Sequence, residues 1–119
     1  MDLLILETFY NLEELREALF AARELAPEEL ALVTQITVGA DGNLPDSASA
    51  ERFTRCLDEW PVDVIGCNCS LGPEPVLQAI EGLQRRSRKP RLIGGCCGTT
   101  PEHIRLIRSE VERNVPQKE

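Results

Sequence analysis

Two short cysteine-containing segments are the part of this sequence best suited to chemistry. Residues 66–73 read Gly-Cys-Asn-Cys-Ser-Leu-Gly-Pro, and residues 94–101 read Gly-Gly-Cys-Cys-Gly-Thr-Thr-Pro. Thiolate sulfur is a preferred ligand of zinc, and a catalytic zinc site uses three protein ligands and leaves a fourth position open. The glycines beside Cys96 and Cys97 permit the sharp backbone bend that two adjacent ligands require. Together with Cys69, these two residues predict an open zinc site that can bind and activate a thiol.

Of the remaining cysteines, Cys56 is better explained by packing, and Cys67 is a weaker candidate ligand than Cys69. Cys56 lies inside a helical pattern. Cys67 stands two residues before Cys69, and a tight turn between them would separate the two side chains, which favours Cys69 as the ligand. Packing is also the alternative for the other three cysteines, because most free cysteines are small buried apolar residues. A thiol redox site at the adjacent pair is a further alternative, although the sequence contains no Cys-x-x-Cys motif.

Three polar residues lie near these segments or near a predicted strand end. Glu7 follows the first predicted strand, where its carboxylate would either hold a substrate ammonium group or remain a solvated loop charge. Asn68 would either donate an amide hydrogen bond to a carboxylate or a sulfur, or satisfy its own turn. His103 falls in the first turn of the last predicted helix, where a surface position is favoured over a metal ligand.

The elements that position these residues alternate between strand and helix along the whole chain. Apolar or β-branched runs predict strands at residues 1–6, 30–38, 62–66 and 91–93. Helix starts are predicted at Asn11, at Asp46, at the two prolines of residues 73–75, and at Thr100 followed by Pro101. Both cysteine segments therefore come directly after a strand. Carboxyl ends of parallel strands are where α/β proteins gather their chemistry.

This order predicts an α/β fold of four consecutive βα units with parallel strands in one domain, residues 1–119. Four units are half of an eight-stranded barrel. The periodicity does not decide between a half-barrel and an open, doubly wound sheet.

Composition narrows the class of partner and compartment. The 119 residues carry 13 Lys and Arg against 20 Asp and Glu, a net charge of −7. An acidic chain without a basic patch argues against nucleic acid or an anionic membrane surface as a partner. No apolar run approaches the roughly 20 residues of a membrane span.

Five cysteines, two of them adjacent, fit a disulfide framework poorly, and the acidic start lacks a signal peptide's positive region, so a cytoplasmic location is predicted.

The two cysteine segments, in this order, resemble the zinc-dependent homocysteine S-methyltransferase family. That family includes the homocysteine-binding module of cobalamin-dependent methionine synthase and betaine–homocysteine methyltransferase. Residues 2–9, Asp-Leu-Leu-Ile-Leu-Glu-Thr-Phe, also resemble the fourth barrel strand of the family. The resemblance implies that Cys69, Cys96 and Cys97 bind Zn²⁺. It also implies that Glu7 holds the amino-acid end of homocysteine and that Asn68 supports the site.

The resemblance further implies a partial barrel and a reaction. The chain corresponds to the fourth, fifth, sixth and eighth βα units, so the first three units and the seventh have no counterpart. The implied function is methyl transfer to the thiol of homocysteine, forming methionine, with an unspecified methyl donor. The alternatives are a catalytically incomplete zinc-binding fragment and a thiol redox protein. The implied assembly is a homodimer or a pairing with a complementing barrel half.

Overall fold

Four parallel strands form one sheet in the order β1-β2-β3-β4, in which each strand pairs with the next strand along the chain. In this computed structural model the strands are β1 (Leu3–Phe9), β2 (Ala31–Ile36), β3 (Val64–Cys67) and β4 (Arg91–Ile93). The structure describes residues 1–39, 41, 43–45, 49–68, 81, 89–95 and 99–114. A doubly wound sheet requires a reversal of strand order, whereas this sequential order is that of a segment of a (β/α)₈ barrel.

Three helices lie in the described part of the chain: α1 (Leu12–Leu25), α2 (Ala50–Glu59) and α3 (Pro101–Asn114). The predicted start of α1 is confirmed, because the side chain of Asn11 accepts a hydrogen bond of 3.0 Å from the backbone N–H of Glu14. The predicted start of α3 is confirmed as well, since Thr100 directly precedes the helix and its hydroxyl accepts from the N–H of His103. The start of the helix predicted to open at residues 73–75 lies outside the described residues.

The start predicted for the second helix is wrong. The N-cap of α2 is Ser49, not Asp46, and the Ser49 hydroxyl accepts from the N–H of Arg52 at 3.2 Å. Both residue types are good N-caps. Ser49 stands three residues beyond Asp46, so the helix begins later than predicted.

The core lies between the sheet and its helices. Leu15 and Leu19 of α1 and Phe53 and Leu57 of α2 are fully buried against the helix-facing side of the sheet. Strand residues of the same cluster include Leu32, Ile36, Ile65 and Cys67. In α3, Ile107 joins this core, whereas Ile104 is 47% exposed.

The opposite side of the sheet carries exposed apolar side chains, and we call it the open face, defined by Leu3, Ile5 and Leu92. Their exposed fractions are 46%, 42% and 41%. Successive residues of a strand point to opposite faces, so Leu3 and Ile5 lie on one side of β1, and Leu4 and Leu6, which pack against the core, lie on the other. In a complete barrel this side of the sheet faces the packed interior.

Lys89 secures the entry into β4. Its Nζ atom donates hydrogen bonds to the carbonyl oxygens of Leu57 and Trp60, at 2.8 and 2.9 Å. These carbonyls lie at the carboxyl end of α2, where a positive charge is favourable. Partial burial lowers the pKa of Lys89. The contact joins the start of the last strand to the second helix.

In the described part of the chain, no helix combines the length and the apolar composition that crossing a membrane would require.

Candidate functional site

The carboxyl end of β1 contains a bulge, and the bulge sets the position of Glu7. Leu6 pairs with Thr34 and Phe9 pairs with Ile36, so three steps on β1 correspond to two on β2. Thr8, inside the bulge, has a φ of 60°. A β-branched residue rarely adopts this left-handed conformation, which costs about 1–3 kcal/mol and tends to occur at functional sites. Glu7 and Thr8 therefore belong to an irregular strand end, not to the loop that the sequence predicted after residue 6.

A closed set of hydrogen bonds joins this bulge to the residue that follows β3. The Nδ2 atom of Asn68 donates to Oε2 of Glu7 and to Oγ1 of Thr8, both at 2.8 Å. The Thr8 hydroxyl donates to the same Oε2 atom at 2.7 Å. The backbone N–H of Thr8 donates to Oδ1 of Asn68 at 3.1 Å. The structure thus brings together Glu7 and Asn68, the two predicted substrate-binding residues, which stand 61 positions apart in the chain.

Asn68 is held by its backbone as well as by its side chain. Its N–H donates to the carbonyl of Ile36 at 3.1 Å, and its own carbonyl accepts from the hydroxyl of Thr37 at 2.9 Å. Asn68 and Thr37 are 4% and 3% exposed. A side-chain amide carries two donor hydrogens, and Glu7 and Thr8 take both. Asn68 therefore acts in this structure on the carboxylate of Glu7 instead of presenting a free N–H to solvent.

The carboxylate of Glu7 is oriented yet accessible. Glu7 is exposed, and within the described part of the chain its hydrogen bonds fall on Oε2. Because Thr8 and Asn68 restrict the orientation of the carboxylate through Oε2, they also set the direction of the other oxygen, Oε1. A carboxylate held in this way suits a ligand with a cationic donor group, such as an ammonium, because bonds to charged groups are stronger than neutral ones.

The predicted zinc ligands, Cys69, Cys96 and Cys97, lie outside the described residues, but the backbone from which they extend is described. Cys67 of β3 pairs with Ile93 of β4, and the N–H of Gly94 donates to the carbonyl of Cys67 at 3.1 Å. Neighbouring strands lie about 4.8 Å apart, and consecutive Cα atoms about 3.8 Å. Cys69 is one residue beyond Asn68, and Cys96 is two beyond Gly94. The two cysteine segments thus start from adjacent strand ends.

Gly95 and Thr99, which flank the cysteine pair of the second segment, lie close together. A side chain at Gly95 would place its Cβ atom 2.1 Å from Oγ1 of Thr99, so Thr99 occupies the space that only a glycine leaves free. Thr100 then begins α3, and its N–H donates to Nδ1 of His103 at 3.1 Å. His103 therefore completes a helix cap, where the sequence predicted only a surface position.

The two described cysteines serve the core. Cys67 is fully buried, and burial raises the pKa of its thiol to about 12, so in this structure it packs as a neutral apolar side chain. Cys56 is partly buried and packs against the same core. Cys56 matches the packing role that the sequence predicted, and Cys67 belongs to the core itself. Among the described residues, no group of three or more His, Cys, Asp or Glu side chains is placed to hold a metal ion.

Sequence reasoning missed Thr8 and Thr37. Nothing in the run Leu-Glu-Thr-Phe signals a bulge. A regular strand would place the neighbouring side chains of Glu7 and Thr8 on opposite faces, so a contact between them was not predicted. For Thr37 the sequence predicts only a position in a strand that is rich in β-branched residues. In each case the hydrogen-bond partner is Asn68, which follows another strand and comes close only in the folded chain.

Comparison with known proteins gives a family and a fold. A family model described as homocysteine S-methyltransferase matches residues 1–91 and 85–111. The methionine synthases of Mycobacterium leprae (strain TN) and Mycobacterium tuberculosis (strain ATCC 25618 / H37Rv) are 23% and 24% identical over 94% and 92% of this chain. The chain spans only 13% of the length of these curated relatives.

A solved structure shares the fold. The apo crystal structure of the homocysteine methyltransferase MmuM from Escherichia coli aligns with a TM-score of 0.62 at 22% identity, covering 92% of this chain and 49% of that one. The alignment with the M. leprae protein extends over 154 residues, whereas this chain has 119. At least 35 positions of the relative, the difference between these lengths, therefore have no counterpart within the aligned part of this chain.

Proposed function

Because this chain belongs to the homocysteine S-methyltransferase family, we propose that it binds homocysteine and takes part in zinc-dependent methyl transfer to its thiol, forming methionine. The observation that carries this proposal is the meeting of Glu7 and Asn68 beside the strand ends from which both cysteine segments extend. An amino-acid site and a thiol site would then lie at the same edge of the sheet. Homocysteine has one group for each.

Zinc fits the donor set of this proposal. Cys69, Cys96 and Cys97 would hold the ion, since three thiolates and one open position are a known catalytic arrangement for zinc. The hydrogen bond from Gly94 to the carbonyl of Cys67 joins the two segments at their roots, which supports their convergence. When bound, zinc favours the deprotonated form of a coordinating thiol, and the thiolate is the nucleophile.

The chain's own residues would bind and orient the substrate. Glu7 would accept hydrogen bonds from the substrate ammonium, and Asn68 would hold that carboxylate in place. Anchoring the amino-acid end restricts the directions in which the substrate sulfur can point, and such orientation lowers the barrier to reaction. No acid–base residue is needed for this role. The site specifies the acceptor, while the methyl donor could be any group that carries an activated methyl.

The test uses the metal's own spectrum. We expect the purified chain to contain one zinc ion, and the cobalt-substituted chain to show thiolate-to-metal absorption that changes when homocysteine is added. Homoserine is the matched control ligand, since it keeps the amino-acid end but has oxygen in place of sulfur, and it should leave the spectrum unchanged. A site that binds metal but ignores homocysteine would indicate a catalytically incomplete zinc-binding fragment. A metal-free chain with a reversible Cys96–Cys97 redox change would indicate the thiol redox protein.

We also propose that a second copy of this chain covers the open face. Leu3, Ile5 and Leu92 expose an apolar surface that a barrel would bury. β1 and β4 end the sheet on its two sides and run parallel, so β4 of one copy can pair with β1 of the other at both junctions. Two sheets of four strands would then close at the eight strands of a barrel.

The oligomeric mass tests this assembly. Light scattering should give twice the 13.3 kDa of one chain. Ile5→Lys, on the open face, should lower that mass to the monomer value, because it places a charge in the interface. Leu25→Lys is the matched control, since Leu25 is 87% exposed on α1 and its change should leave the mass unaltered. A wild-type monomer would favour a different, complementing barrel half as the partner.

The two segments matched by the family model meet at residues 85–91. This supports the view that the seventh βα unit of the family has no counterpart here and that β4 corresponds to its eighth strand. A cytoplasmic location belongs to the same proposal, because metal-binding thiolates persist best in a reducing compartment.

A further inference from the structure

We infer that Thr8 is the positioning residue that orients Glu7 toward the ammonium group of the bound amino acid. This inference rests on the proposed function and adds a residue that sequence reasoning did not assign. It starts from the strained backbone of Thr8, with its φ of 60°. A β-branched residue held in that conformation calls for a compensating interaction.

The bulge makes possible a contact that a regular strand forbids. Neighbouring residues of a strand point to opposite faces, yet Oγ1 of Thr8 lies 2.7 Å from Oε2 of Glu7. The same conformation directs the N–H of Thr8 to Oδ1 of Asn68 at 3.1 Å. Thr8 is thus bonded through its backbone to Asn68 and through its side chain to Glu7.

The Thr8 hydroxyl makes one hydrogen bond as an acceptor and one as a donor. It accepts from Nδ2 of Asn68 and donates to Oε2 of Glu7, so its single hydrogen is committed to the carboxylate. Two donors thereby fix Oε2, and the carboxylate can turn only by breaking both bonds. Oε1 is left to meet a ligand. This geometry assigns the hydroxyl to Glu7, not to the substrate itself.

Three variants separate the hydroxyl from the strain. Thr8→Val removes the hydroxyl and keeps the branched shape. Thr8→Gly removes the hydroxyl and also relieves the strain, because glycine accepts positive φ, so this variant should fold even if the valine variant does not. Thr8→Ser restores the hydroxyl on a smaller side chain and is the conservative control.

The readout is calorimetric binding of two thiols to the zinc-loaded chain. One is homocysteine and the other is 4-sulfanylbutanoate, which lacks only the amino group. We expect Thr8→Val and Thr8→Gly to weaken homocysteine binding about tenfold, the value of one hydrogen bond to a charged group. Binding of 4-sulfanylbutanoate should change less than about twofold, and Thr8→Ser should bind both thiols nearly as the wild type does.

The outcomes are distinguishable. Equal weakening of both thiols would mean that Thr8 only supports the fold and would overturn the inference. Unchanged homocysteine binding in Thr8→Gly would overturn it too. A wild-type chain that binds neither thiol would refute the proposed function, and the inference with it. Selective loss for the amine-bearing thiol would support both.

Discussion

Replacing Cys96 with serine is expected to remove zinc from the chain. The proposed site has three protein ligands, so loss of one leaves two thiolates and no closed coordination sphere. Loss of a residue that only supports a ligand already costs about 10–100-fold in metal affinity, and loss of a ligand should cost more. After dialysis against a weak chelator, elemental analysis should find one zinc per wild-type chain and almost none in the variant. Cys69→Ser and Cys97→Ser should give the same result.

The chain supplies its own control for this experiment. Cys56→Ser changes a cysteine of the α2 helix that packs against the core, and it should retain one zinc. Cys67 is less suitable as a control, because its thiol is fully buried and a serine hydroxyl there would need a hydrogen-bond partner. Full zinc content in any one of the three ligand variants would contradict the proposed ligand set.

Replacing Gly66 with alanine is expected to separate β4 from β3. A Cβ atom at Gly66 would lie 1.8 Å from the carbonyl oxygen of Leu92 and 2.8 Å from its carbonyl carbon. These are backbone atoms, so no side-chain rotation relieves the clash. The strand pairing involves only three register pairs, Ile65, Gly66 and Cys67 with residues 91–93. We expect a loss of about 3 kcal/mol in the free energy of unfolding and a fall of about 10 °C or more in Tm.

The same change should disturb the metal site. Gly94, whose N–H bonds to the carbonyl of Cys67, leads into the second cysteine segment, so displacement of β4 moves Cys96 and Cys97 away from Cys69. Zinc affinity should fall together with stability. Gly94→Ala is the matched control, because an added Cβ there meets no atom within 4 Å, and its stability should stay within about 0.5 kcal/mol of the wild type. Equal stability of both alanine variants would show that the close approach at Gly66 is not needed.

Much of the fold was predictable because its signals are local. The four strand positions, the caps at Asn11 and Thr100, and the parallel order of βα units all followed from short apolar runs and from capping residues. Strand ends were less predictable: β1 extends to Phe9 instead of stopping at residue 6. The apolar run ends where the prediction ended, and the additional residues pair with β2 only through the bulge.

The candidate site divides in the same way. By itself the sequence determined the cysteine segments and the family, and it predicted Glu7 and Asn68 as candidate site residues, because these depend on residue type and order along the chain. Only the tertiary structure shows that the four strands lie side by side in chain order, without the reversal of a doubly wound sheet. It also decided that Thr8 and Thr37 hold Glu7 and Asn68 in place. The physical reason is that a hydrogen bond between strands depends on register and on a local bulge, and both arise only when residues distant in sequence pack together.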